Sequence, residues 1–252
     1  MKPVIIVQAR MTSTRLPGKV LMDLAGRSVL AHTLARCAAT PGIDAVCCAV
    51  PEGESHDAVA AEARRAGAVI FRGSEHDVLD RYWKAALTLD AEVVMRVTSD
   101  CPLTDPSVCG RVLQLVTKGG ADYACNNMPP SWPHGLDCEA FTMAALDRAA
   151  HEASVPYQRE HVTPWLRGDP TLRKANLAGP GGWAAEQRWT LDFPEDLDFF
   201  RALFAQLPLL PAMPSTDEIL AVLRARPDIG TLNARYQNVS RPTMPAAVKG
   251  IP

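Results

Sequence analysis

Residues 4–19 read VIIVQARMTSTRLPGK, and this stretch decides the fold class. Val4 to Val7 is uncharged and rich in β-branched residues, the composition of a strand buried on both faces of a parallel sheet. The strand is expected to stop at Gln8. The next residues bring three cations (Arg10, Arg15 and Lys19), the hydroxyls of Thr12, Ser13 and Thr14, and the turn pair Pro17-Gly18. At the carboxyl end of a parallel strand such a loop gathers backbone N–H groups, hydroxyl donors and fixed positive charge, which suits a polyphosphate. It matches neither GxxxxGK[ST] nor GxGxxG, and a solvated basic loop that only caps the sheet has the same composition.

Outward from this loop the chain repeats a strand-then-helix unit. Ser28 is an N-cap for a helix running to the Pro41-Gly42 stop, and Ala45 to Val50 reads as a second buried strand. Ser55 to Ala66 is an Ala-rich helix, Ala68 to Phe71 a third strand, His76 to Leu89 a helix and Glu92 to Val97 a fourth strand. Successive units of this kind predict an α/β fold with a mixed, largely parallel sheet, helices on both faces and right-handed crossovers. Farther on, Ala121 to Cys125 and Arg188 to Asp192 read as strands, with helices over 142–152, after Pro156, after Phe193 and over 215–226.

Length and composition bound the function. The 252 residues are 47% hydrophobic, enough for one large domain with a sizeable core. A formal charge of −2 argues against an extended nucleic-acid surface, so the cations of the opening loop are local. No apolar run approaches signal-peptide or membrane-spanning length, which predicts a cytoplasmic protein with no membrane partner. Seven cysteines without a CxxC pair read as small buried hydrophobes, not as a zinc site or disulfide framework.

Ligands of open α/β sheets sit beyond the carboxyl ends of the strands, so the residues just after each strand carry the chemistry. After the fourth strand comes Ser99-Asp100, then Asp105 directly before Pro106. Asp105 fits a helix cap. Asp100 shares the crevice with Arg10 and Lys19, where a carboxylate suits a phosphate site only with a divalent cation between them. Asp77 fits a helix N-terminal carboxylate. Arg159-Glu160-His161 reads equally as a salt-bridged turn or as a ligand contact.

The arrangement A-R-x-x-S-x-R-L-P-G-K in residues 9–19 resembles the N-terminal signature of the cytidylyltransferases that activate sugar acids. These are the CMP-sialate and CMP-KDO synthetases and, most closely, their SpsF-like relatives in spore-coat polysaccharide biosynthesis. Four further runs match in order: G-S-x-x-D-V-L-D-R-Y (73–82), RVTSDCPLTDP (96–106), R-E-H-V-T-P (159–164) and L-D-F-P-E-D-L (191–197).

The resemblance implies a nucleotide-diphospho-sugar transferase (Rossmann-like) fold over residues 1–236, with an acceptor or dimer subregion at about 121–187 and a tail at 237–252. It implies transfer of a nucleotidyl group from a nucleoside triphosphate, CTP in the family, to a small acidic acceptor, with release of pyrophosphate. Lys19, Arg15 and Asp100 would be catalytic, and Gln8, Ala9, Arg10, Thr12, Ser13, Thr14, Ser74, Arg81 and Ser99 would bind the nucleotide. Asp100 and Asp192 would hold Mg2+. Asn127, His134, Asp137, Glu139, Arg159 and His161 would bind the acceptor under a Pro-rich lid, and a homodimer is the family expectation. No residue stands out as general base. A glycosyltransferase or a non-catalytic nucleotide-binding protein are the alternatives. The former typically carries a DxD-like metal pair, and Asp196-Leu197-Asp198 falls inside a predicted helix.

Overall fold

In the computed structural model, which describes residues 1–208 and 211–239, the uncharged N-terminal run is β1 (Pro3–Gln8), an interior strand of a seven-stranded sheet. It is followed by β2 (Asp23–Leu24) and β3 (Arg27–Ser28), a small antiparallel pair apart from the main sheet, and by α1 (Val29–Ala38). Then come β4 (Ala45–Pro51), α2 (Asp57–Arg65), β5 (Val69–Gly73), α3 (Val78–Thr88), β6 (Val93–Thr98) and α4 (Pro106–Thr117). The middle third contributes β7 (Tyr123–Cys125), β8 (Glu139–Thr142), α5 (Met143–Glu152), α6 (Pro156–His161), α7 (Pro164–Gly168), β9 (Lys174–Asn176) and α8 (Gly182–Ala185). The last helices are α9 (Pro194–Phe204), α10 (Thr216–Ala225) and α11 (Pro227–Thr231).

The strand order is β5-β4-β1-β6-β8-β7-β9. β1 pairs in parallel with both β4 and β6, β4 with β5, and β7 with β9, whereas β8 runs antiparallel to its neighbours β6 and β7. This is the mixed, mostly parallel sheet that the sequence predicts. The chain leaves β1 towards β4 and β5, then crosses back to β6 on the other side. The carboxyl ends of β1 and β6 therefore flank a switch point, where connecting loops diverge and leave a crevice.

Period-two alternation sorts the core. Ile5 and Val7 join a cluster with α1, α2 and α4, while Val4 and Ile6 join α3 and α5 on the opposite face. Adjacent Cys47 and Cys48 fall on opposite faces by the same rule, and all seven cysteines are buried and free. Burial pushes the Cys47 thiol up to about 12, so it behaves as a packing group. A third cluster gathers Trp189, Leu191 and the apolar faces of α9 and α10.

Caps form where short polar residues precede apolar periodicity. Ser28 accepts from Ala31 N at 3.0 Å, and Asp77 accepts from Asp80 N at 3.0 Å, so α3 starts at Val78, two residues after the predicted start. Asp105 Oδ1 accepts from Ser107 N and Val108 N, while its Oδ2 accepts from Thr216, tying α4 to α10.

The run Arg188 to Asp192, predicted as a strand, is not one. β6 is already flanked by β1 and β8, so no central edge remains for it. The run instead threads between two loops: Leu191 N donates to the Asp100 carbonyl at 2.9 Å and Trp189 N to the His134 carbonyl at 2.6 Å. The approach is close enough that a Cβ on Gly135 would stand 2.2 Å from the Trp189 carbonyl oxygen, and Gly135 has φ +112°. Of the predicted tail at 237–252, only residues 237–239 lie within the described residues. No described helix is long and apolar enough to cross a membrane.

Candidate active site

The loop after β1 folds around one carbonyl. Met11 O accepts from Ser13 N at 2.9 Å and from Gly18 N at 3.1 Å, and Gly18 turns the chain with φ +70° into a single helical turn that carries Lys19 inward. The loop's outer edge is pinned to the neighbouring connections: Met11 N donates to His56 Nδ1, and Thr12 Oγ1 to Glu75 Oε1.

Lys19 is the focus. Its ammonium lies 2.6 Å from Asp100 Oδ2, 2.8 Å from Asp192 Oδ1 and 2.6 Å from the Leu191 carbonyl. Arg15 Nη2 reaches the same Asp192 oxygen at 2.9 Å, with its guanidinium above the Phe193 ring. Burial opposes the charge on Lys19, but Asp100 and Asp192 outweigh it and raise the pKa. Burial likewise opposes ionisation of Asp100 and Asp192, and the Lys19 charge reverses that and holds both carboxyls below their ordinary value. At neutral pH the site therefore presents two carboxylates and an ammonium.

Two carboxylates that converge on one ammonium also fit a divalent cation. Among the described residues no third His, Cys, Asp or Glu joins them, so a bound cation would take its remaining ligands from phosphate oxygens and water, as Mg2+ commonly does.

The cleft around this focus is lined by Gln8, Ala9, Arg10, Ser13, Thr14 and Arg15 from the first connection, and by Thr98, Ser99 and Asp100 from the end of β6. Arg81 and Val78 of α3, Glu160 and His161 of α6, and Asp192 complete the wall. The register that pairs Gln8 with Thr98 sets the two connections side by side. Arg10 lines the cleft with no hydrogen bond or ion pair among the described residues, an open cation for an incoming anion. Gln8 Oε1 and Arg81 Nε are buried and likewise lack hydrogen-bond partners. They form a buried acceptor and a buried donor, each without a partner among the described residues.

A match to the cytidylyltransferase family model runs from residue 4 to residue 221, which spans every residue just described. The chain belongs to the cytidylyltransferase family. It is a nucleotidyltransferase. It is 32% identical over 232 residues to the spore coat polysaccharide biosynthesis protein SpsF of Bacillus subtilis, covering 90% of this chain and 95% of that protein. A 3-deoxy-manno-octulosonate cytidylyltransferase from Anaeromyxobacter is 28% identical over 242 residues, covering 81% of this chain and 97% of that enzyme. A solved cytidylyltransferase from Leptospira borgpetersenii superposes with a TM-score of 0.86 at 27% identity, covering 91% of this chain and 97% of the other.

Several residues singled out from the cytidylyltransferase resemblance have other tasks. Arg159, expected at the acceptor, forks onto Asp77 (3.0 and 2.6 Å) and donates to the carbonyls of Ala150 and Ala153. That leaves Asp77 as both helix cap and ion-pair partner. Glu139, 1% exposed, sits in β8 inside the sheet, where its carboxylate is held by Arg96, Arg167, Tyr123 and Thr163. Ser74 serves the start of α3: its Oγ accepts from Asp77 N and its carbonyl from Arg81. Thr12 is turned out to Glu75.

Asn127, His134 and Asp137 belong to a connection that does not line the cleft. Asp137 Oδ2 accepts from Gly135 N at 2.9 Å, and His134 stands beside Arg188. The Pro-rich segment expected as a lid is fastened through Ser131, which accepts from Gly179 N and Gly181 N. Of the acceptor candidates only His161 borders the cleft. A tight turn at Val162, φ +69°, with Thr163 N donating to the His161 carbonyl at 2.8 Å, presents it there.

Three site residues escaped sequence reasoning. Glu160, in a triplet that reads equally as a salt-bridged turn or as a ligand contact, has no role assigned from sequence, yet it lines the cleft beside His161. Arg188 and Asp196 form a buried pair behind Asp192, with Arg188 Nε 2.9 Å from Asp196 Oδ1. The signal for Asp196 lay in F-P-E-D, where a carboxylate at the third helical position returns to the cap: Asp196 Oδ2 accepts from Phe193 N at 3.0 Å.

Proposed function

We propose that this enzyme transfers the cytidylyl group of CTP to an oxygen of a small acidic acceptor, a sugar acid, in a Mg2+-dependent reaction that releases pyrophosphate. The observation that carries this reading is the convergence of Asp100 and Asp192 on Lys19 at the rim shared by β1 and β6. The acceptor hydroxyl oxygen, giving its proton up to solvent, forms a bond to the α-phosphorus, and the bond from that phosphorus to the oxygen bridging to the β-phosphate breaks, so that pyrophosphate leaves. Such a reaction asks the protein for positioning and charge neutralisation more than for a covalent nucleophile.

Asp100 and Asp192 would hold Mg2+, which when bound supplies positive charge at the phosphates. On nucleotide binding Lys19 exchanges its carboxylate partners for phosphate oxygens and stabilises the negative charge that develops between the α-phosphate and the leaving group. Arg15 and Arg10 neutralise the pyrophosphate half, and the amides and hydroxyls of Ser13 and Thr14 hold it in place. His161, whose pKa partial desolvation lowers, presents a neutral imidazole on the acceptor side.

The choice of CTP is supported by Gln8 and Arg81. A buried acceptor and a buried donor, each without a partner among the described residues, match the amino donor and carbonyl acceptor that cytosine offers. The octulosonate cytidylyltransferase lends the sugar-acid class to the acceptor.

The test is pyrophosphate release with each of CTP, UTP, ATP and GTP, Mg2+ and a panel of sugar acids. Release with CTP and one class of sugar acid is expected. Tight nucleotide binding without pyrophosphate from any combination would favour a regulator, and turnover of a nucleotide sugar would favour a glycosyltransferase.

A further inference from the structure

The family model ends at residue 221, yet the chain beyond it returns to the back of the cleft. The Asp192 carboxylate has two sides. Oδ1 faces Lys19 and Arg15 in the cleft, while Oδ2 faces Arg188 Nη2 at 3.3 Å on the far side. Arg188, 3% exposed, is held at every nitrogen: Nε and Nη2 fork onto Asp196 at 2.9 and 3.0 Å, and Nη1 donates to the Val239 carbonyl at 2.8 Å. Asn233, also buried, donates through Nδ2 to Asp196 Oδ1 at 2.9 Å and to the Arg188 carbonyl at 3.0 Å. Asp196 Oδ2 closes the circuit by accepting from the N–H of Asp192 at 2.9 Å. Tyr236 stacks on Phe193, the residue after Asp192, with ring centroids 3.8 Å apart and planes 4° from parallel.

Apolar side chains would fasten a C-terminal segment at lower cost, because burying charges carries a desolvation penalty that their mutual attraction barely offsets. Here the charged groups are spent on one carboxylate. A carboxylate whose rear oxygen is free rotates toward the nearest cation, whereas one held from behind keeps its front oxygen in place for a ligand. We propose that the segment Asn233–Val239, acting through Arg188 and Asp196, is a positioning buttress that fixes the Asp192 carboxylate for its nucleotide–metal site. The proposal rests on the reading of Asp192 as a metal ligand.

The experiment titrates Mn2+ into the full-length protein at saturating CTP, following free Mn2+ by its electron paramagnetic resonance signal, with thermal melting recorded alongside. Asn233→Ala, Tyr236→Ala and Arg188→Lys are expected to weaken Mn2+ binding ~10-fold or more, the usual effect of removing an outer-shell partner. CTP affinity without metal should stay within a factor of about two, because these residues do not touch the nucleotide. Tyr236→Phe, which keeps the stack, and Asp228→Ala, which removes only the exposed pair with Arg226, should bind Mn2+ like wild type. Should Asn233→Ala fail to fold, the half-buried Tyr236 carries the comparison. Lower melting temperatures with wild-type Mn2+ affinity in Tyr236→Ala and Arg188→Lys would overturn the buttress. Asp192→Asn with wild-type Mn2+ affinity would overturn the metal reading, and the buttress with it.

Discussion

Lys19 and Asp192, 173 positions apart in the chain, meet with Nζ 2.8 Å from Oδ1, and the same ammonium reaches Asp100 at 2.6 Å. The contact joins the cationic loop after β1 to a segment that is not part of the sheet. It also means that the proposed metal ligands and the proposed phosphate ligand neutralise one another before nucleotide arrives, so no carboxylate is left buried and unpaired.

Asp192 carries more than one partner, and its replacement separates them. Asp192→Asn keeps the shape but removes the charge that Lys19 and Arg15 face. Pyrophosphate release should fall on the order of 100-fold, as for loss of a preorganised electrostatic group. Far-ultraviolet circular dichroism should be unchanged, and steady-state kinetics at saturating CTP and Mg2+ reads the effect.

Gln8 tests base recognition. Gln8→Leu removes the unpartnered acceptor at the cleft floor. The loss of one such hydrogen bond, about 1.5 kcal/mol, should raise the KM for CTP roughly tenfold and bring CTP and UTP closer in kcat/KM. An unchanged CTP-to-UTP ratio would show that the base sits elsewhere.

Glu139 is expected to matter for stability and not for the ligand. Burial alone would raise its carboxyl; Arg167, Arg96 and the Tyr123 hydroxyl outweigh it and hold the pKa at about 2. A depressed folded-state pKa contributes stability that is complete above the ordinary glutamate value of 4.5 and is lost as pH falls from there towards about 2. Glu139→Gln should cost about 3 kcal/mol near neutrality by leaving two half-buried guanidiniums without their buried carboxylate. The difference from wild type should shrink as pH falls below the ordinary value. Urea midpoints across that window measure it.

Gly135→Ala would place a Cβ against the Trp189 carbonyl at a φ of +112°. The strain, about 1–3 kcal/mol, falls on the segment that leads into Asp192. Both melting temperature and turnover should therefore drop, although Gly135 does not line the cleft.

The sheet was legible because β1 and β4 are uncharged apolar runs, β1 rich in β-branched residues, and the capping roles of Ser28, Asp77 and Asp105 followed from single residues placed before apolar periodicity. The loop's cations and Asp100 were legible from their position after strands. Partner choice was not. Arg159 could have met any anion, and it is tertiary packing that delivers Asp77 from 82 positions away. Glu139 read as a ligand contact because composition does not show that Arg96 and Arg167 close over it from another strand and helix. Arg188 to Asp192 has strand composition, yet the sheet had no vacant edge beside β6.

The role of Lys19 in cytidylyl transfer is read most directly from pyrophosphate release from CTP with Mg2+ and a sugar-acid panel, comparing wild type with Lys19→Met. Wild type is expected to release pyrophosphate only with acceptor, and the variant to lose on the order of 1,000-fold with CTP still bound. Release at the wild-type rate from Lys19→Met would contradict that role.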